Sequence, residues 1–122
     1  MVLQEEITIE NRGDYLRVVV CGVASVEKVL TAIDEADKIF REKPFSSVLY
    51  DFRTMYGGVS ATDRIRIGLY AARFRYSGLK VALLYQLEHL QTLRFLESYL
   101  QDRGVKFVLF SDENQALQWF LA

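Results

Sequence analysis

The sequence predicts an α/β domain built on a mainly parallel sheet, and three observations carry that prediction. Short β-branched, apolar runs alternate with helix-length stretches whose apolar residues recur every three or four positions. Glycines and hydroxyl or acidic capping residues punctuate the changeovers. The run at 79–85 is apolar without interruption, the pattern of a strand covered on both faces.

The elements follow in order. Residues 6–10 alternate polar and apolar through Ile7 and Ile9, as a half-exposed edge strand does. Asn11-Arg12-Gly13-Asp14 is a turn cluster, and 15–21 is a β-branched strand, so the first two strands form an antiparallel hairpin. Gly22 ends that run. Ser25 caps the first helix, with Glu27 in its first turn. Val26, Val29, Leu30, Ile33, Ala36 and Phe40 mark the buried face, and the helix stops before Pro44, the only proline.

A third strand spans 46–52 and a second helix 60–76, closed by Gly78 as a left-handed cap. After the strand at 79–85 comes a third helix, 87–103, which Gly104 ends in the same way. The last strand is 105–110, and Ser111-Asp112-Glu113 opens a short helix carrying Ala116, Leu117, Phe120 and Leu121. The expected fold is thus a five-stranded, mainly parallel sheet with an antiparallel first strand and four helices. Right-handed crossovers join the parallel strands.

Composition bounds the class. A chain of 122 residues fits one domain, 1–122, and its 51% apolar content is enough for a real core. A net charge of −1 gives no reason to expect nucleic acid or an anionic membrane. One cysteine, Cys21, cannot form an internal disulfide, which is consistent with a reducing compartment. Residues 1–6 lack the basic start and apolar core of a signal segment. No apolar run reaches the roughly 18 residues of a membrane span. The expectation is a cytoplasmic protein with no integral membrane segment.

The residues Tyr15–Ser25 in the order YLRVVVCGVAS, then Val48-Leu49-Tyr50-Asp51-Phe52-Arg53, then Val81-Ala82-Leu83-Leu84, carry a resemblance. The closing run from Ser111 to Phe120 carries it further. Together they resemble the STAS fold of the anti-sigma-factor antagonists, specifically the SpoIIAA-like proteins of the STAS/Sec14 grouping. The resemblance covers nearly the whole chain and rests on strands and caps rather than on a chemical signature. It implies that the helices lie chiefly on one face of the sheet, which leaves a surface needing cover and favours a dimer. It also implies a switch serine in an Asp-Ser-Ser-Gly-type motif after the third strand. Here that region reads Val59-Ser60-Ala61-Thr62, so Ser60, or else Thr62, inherits the role. The motif's acidic residue and glycine are absent, which speaks against partner switching by a kinase.

The loop after the third strand is the first candidate site, because ligands sit at the carboxyl ends of such strands. It contains Asp51, Arg53, Gly57, Gly58, Ser60 and Thr62. Each also has a plain structural reading. Ser60-Ala61-Thr62-Asp63 fits a capping box, Asp51 with Arg53 fits a local ion pair, and Gly57-Gly58 fits a turn. His89, the only histidine, has no evident nucleophile beside it. One cysteine and one histidine do not make a usual metal site, and no dinucleotide or P-loop fingerprint occurs. No cofactor is expected, and no catalytic set is complete.

The second helix is the other candidate. Ile65, Leu69, Ala72 and Tyr76 form one apolar stripe, and Ile67, Tyr70, Ala71 and Phe74 form another roughly opposite, with arginines between. A helix on a sheet needs one such stripe, so the second requires a neighbouring helix, a protein partner or an apolar ligand. Arg66, Ile67, Tyr70, Arg73 and Phe74 are the candidate interface. The leading expectation is a non-enzymatic binding or regulatory module acting through protein contacts, as a homodimer or with another protein. The alternatives are a carrier or sensor of an apolar molecule or lipid, and a small enzyme using Asp51, Asp63 or His89.

Overall fold

A computed structural model describes residues 6–73 and 78–122. Its main sheet has five strands, β1 (Ile7–Asn11), β2 (Tyr15–Val20), β4 (Ser47–Asp51), β6 (Lys80–Leu84) and β7 (Lys106–Phe110), in the order β1-β2-β4-β6-β7. β1 runs antiparallel to β2, pairing Ile7 with Val20, and the remaining pairs are parallel. The expected α/β, mainly parallel architecture with four helices is the one observed.

Alternation along the strands sorts side chains onto two faces. One face presents Leu16, Val18, Val20, Val48, Tyr50, Val81, Leu83, Phe107 and Leu109. It is covered by α1 (Val26–Glu42), α2 (Ala61–Ala72) and α3 (Leu90–Asp102). The other presents Leu49, Ala82 and Leu84 to Ala116 of α4 (Glu113–Leu121). The helices therefore lie three to one. Because β6 is covered on both sides, Ala82, Leu83 and Leu84 are all buried, which explains its unbroken apolar run.

Capping follows the sequence closely. Ser25 Oγ accepts from the Lys28 amide at 3.1 Å and Asp112 caps α4. α3 is closed by Gly104 at φ +85°, whose amide donates to Gln101, while Val105 donates to Leu100. That left-handed conformation favours glycine and satisfies otherwise orphaned carbonyls. Lys80 Nζ donates at 2.8 Å to the carbonyls of both Trp119 and Ala122, at the negative end of α4.

Three details differ from expectation, and a fourth lies partly outside the described residues. Gly22 does not end the pairing: β3 (Gly22–Val23) pairs in parallel with β5 (Met55–Tyr56) as a small second sheet. Two-residue strands carry no periodicity, so the sequence does not announce them. The third helix begins as a 3₁₀ turn, Leu87–His89, before α3 proper. Within the described residues the second helix is Ala61–Ala72, capped by Ser60; its expected extension to 76, with Phe74 and Tyr76, lies outside the described residues. Finally, only half of the capping box forms. Ser60 Oγ accepts from the Asp63 amide at 3.1 Å, but the Asp63 carboxylate pairs with Arg66 at 3.3 Å.

The side of α2 that faces inward is settled by packing. Ile67 is buried with Val26 and Val29 of α1. Its neighbour Gly68 lets α2 approach α3 closely, since a Cβ there would stand 3.0 Å from the Tyr99 ring. Ile65 and Leu69 are left outside, 45% and 55% exposed.

Candidate functional site

Two apolar cavities lie on the three-helix side of the sheet. The outer one, about 150 Å³, sits at the carboxyl ends of β4 and β6. Met55, Gly57, Gly58 and Val59 line it from the loop after β4, Arg64 and Ile67 from α2, and His89, Thr92, Leu93 and Leu96 from the 3₁₀ turn and α3. The inner one, about 80 Å³, runs beneath the helices toward the amino ends of the strands. Val48, Tyr50, Val81 and Leu83 form its floor, with Ile33, Asp37 and Phe40 of α1 and Leu100 of α3 around it. Val29, Phe52, Ile67 and Leu96 line both cavities.

Each wall has a local cause. Gly57 adopts φ +81°, which turns the chain back toward α2 after β5. The loop carbonyls are held from two sides: Arg64 donates to the Val59 carbonyl at 3.0 Å, and the Gln86 amide donates to the Arg53 carbonyl. The outer cavity therefore has fixed polar groups at its rim and apolar walls within, the usual composition of a small-molecule site.

The opposite face of the sheet holds an ion-pair network. Asp51 is buried and accepts from Arg17 Nη2 at 3.0 Å and Arg53 Nη2 at 2.9 Å. Its other oxygen accepts from the Arg53 amide at 3.1 Å. Glu113 of α4 completes the network by accepting from Arg17 Nε at 3.0 Å. Burial alone would raise the Asp51 pKa, but the hydrogen bonds and charges of Arg53 and Arg17 outweigh it and hold the carboxylate below its ordinary range.

The sequence-derived residues therefore separate. Asp51 and Arg53 belong to the network on the α4 side, where each is satisfied by the other. Gly57 and Gly58 line the outer cavity. Ser60 is an exposed cap and Thr62 an exposed position in the first turn of α2. Arg66 pairs with Asp63, and Arg73 lies over the Tyr70 ring at 5.3 Å. The Tyr70 hydroxyl donates to Asp34 of α1. Ile67 is corrected from interface to interior, because α1 covers it; Phe74 lies outside the described residues. His89 Nε2 stands 3.5 Å from Glu88 Oε2 at the cavity rim. Among the described residues no group of three or more His, Cys, Asp or Glu side chains could hold a metal ion. No helix among them is long and apolar enough to cross a membrane.

Sequence reasoning missed Asp37 and Tyr50. The signal was present, because Asp37 stands four residues after Ile33 and three before Phe40, on the apolar stripe of α1. The residue is 4% exposed; Oδ2 is ion-paired with Arg41 Nη2 at 2.8 Å, and Oδ1 has no hydrogen-bond partner. Burial, and then the charge of Asp37, push the Tyr50 phenol well above its ordinary value, so it stays protonated.

No protein-family model matches the chain, and no curated protein does. Among the solved structures similar to this chain is one that matches over 93% of this chain and 91% of its own, at 22% identity and a TM-score of 0.60. It is an uncharacterised protein of the DUF3478 family with a SpoIIAA-like fold, from Shewanella loihica PV-4. The likeness shows the fold: this chain has the SpoIIAA-like, STAS-type arrangement.

Proposed function

We propose that this STAS-type module is a non-enzymatic carrier or sensor that holds a small apolar molecule between its sheet and its three-helix layer. The observation that carries this reading is the pair of adjacent apolar cavities that share Val29, Phe52, Ile67 and Leu96 in their lining. Natural cores close-pack, so empty space of this kind loses contact energy unless something fills it. An apolar cavity of about 150 Å³ is the size that takes benzene. The cargo is therefore on the scale of a single ring or a short chain, smaller than a diacyl lipid. Native mass spectrometry of protein taken from cells should show an added mass of that class, released on denaturation. Only the bare chain mass, from cells and after incubation with single-ring hydrocarbons alike, would contradict the proposal.

A second reading, contact with another protein or a second copy, is favoured by the exposed outer stripe of α2. Ile65 and Leu69 form one stripe beside Arg66, and both are exposed among the described residues. Light scattering should then show a dimer that Leu69→Glu dissociates. A monomer at every concentration, with no partner lost on that substitution, counts against this reading.

A further inference from the structure

We infer that the inner cavity selects apolar molecules carrying a neutral hydroxyl, and that Asp37 Oδ1 accepts the hydrogen bond of that hydroxyl. The inference rests on the reading that the cavities hold a ligand, and it names the chemical class.

Asp37 is an acid where the fold asks for an aliphatic side chain. It continues the row of Val29 and Ile33 along the inward side of α1, and it lines the inner cavity together with Tyr50 and Val81. A carboxylate oxygen removed from water without a donor is strongly unfavourable. Here Oδ2 has Arg41, but Oδ1 has no donor. The space beside it is where a donor would sit, since Asp37 lines that cavity.

The chemistry of the missing donor follows from the charges present. Arg41 already balances the Asp37 charge, so a second buried cation would itself be unpaired. A hydroxyl supplies a donor without bringing charge. It also accepts, which suits the protonated phenol of Tyr50 on the same cavity wall. The rest of the lining is aliphatic or aromatic: Ile33, Phe40, Leu83, Leu100. The inner cavity, about 80 Å³, is too small for a ring by itself, so the apolar ligand body extends past Ile67 and Leu96 into the outer space and its single polar group is at the Asp37 end. A lone water on Oδ1 is the competing occupant.

Calorimetric titration of the full chain with phenol, toluene and anisole separates these outcomes. Phenol and toluene are nearly equal in shape, and anisole keeps the oxygen but lacks the donor. The unmodified protein should bind phenol at least as tightly as toluene, and anisole no better than toluene. In Asp37→Leu, toluene should still bind while the phenol-to-toluene preference falls at least tenfold; Asp37→Met serves if the leucine variant does not fold. Both variants should melt higher than the parent, because the unpaired oxygen is gone. Unchanged preference in the variants, or anisole matching phenol in the parent, would overturn the inference and leave the carrier reading standing. No binding of toluene or phenol by the unmodified chain would overturn both.

Discussion

Replacing Asp51 with alanine is expected to lower the stability of the fold by about 3 kcal/mol, measured by chemical denaturation at neutral pH. The side chain is buried and ties β4 to β2 through Arg17 and to its own following loop through Arg53. Removing it strands two guanidinium groups that have been partly taken out of water. The effect sits at the low end of the range for opening a buried pair, because Glu113 remains bonded to Arg17 and close to Arg53. The same residue sets an acid limit. Its folded pKa lies below the ordinary value of 3.8, so the unfolded chain takes up the proton first as pH falls. The contribution of Asp51 is complete above that ordinary value and is lost as pH drops through the lower, folded one. Asp51→Ala should accordingly flatten the fall in stability seen in the parent below about pH 4. An unchanged acid profile would mean that other carboxylates carry it.

The second large effect concerns Ile67. Tryptophan at this position is expected to fill space in both cavities and weaken toluene binding at least 100-fold, about 2.7 kcal/mol. Ile67 lines both spaces together with Phe52 and Leu96, so added bulk there fills the volume a ligand would use. Overpacking costs about 1–3 kcal/mol in a tight core, and the vacant volume offsets part of that. Ile67→Ala should act in the opposite sense. It enlarges the space between the sheet and the helices, lowers stability by about 2–4 kcal/mol, and admits longer alkyl chains than the parent. Toluene binding that survives Ile67→Trp unchanged would place the ligand elsewhere.

Much of this architecture is legible in the residues themselves. β2 and β6 announce themselves through Val18-Val19-Val20 and Val81-Ala82-Leu83-Leu84, and Ser25, Ser60 and Gly104 mark helix ends where the structure has them. The site is less legible, for physical reasons. On α2 the stripes of Ile65 with Leu69 and of Ile67 with Ala71 are equally apolar, and periodicity cannot say which one meets the sheet. Close packing of Gly68 on Tyr99 and of Ile67 on α1 decides it, and both are long-range contacts. Asp51 and Arg53 look alike as a ligand pair or a salt bridge until Arg17 and Glu113 arrive from other elements. The cavities cannot be read at all, because a void is a failure of side chains to meet. Asp37 was the readable clue, an acid breaking the apolar rhythm of α1.

The most direct test is a methyl-resolved NMR titration of the unmodified chain with toluene. α2 supplies its own control, since Ile67 points inward while Ile65 and Leu69 point outward. Saturable shifts at the methyls of Val29, Ile67, Leu83, Leu96 and Leu100, with Ile65 and Leu69 unmoved, are the result expected of an internal site. Shifts confined to Ile65 and Leu69, or none that saturate, would contradict it.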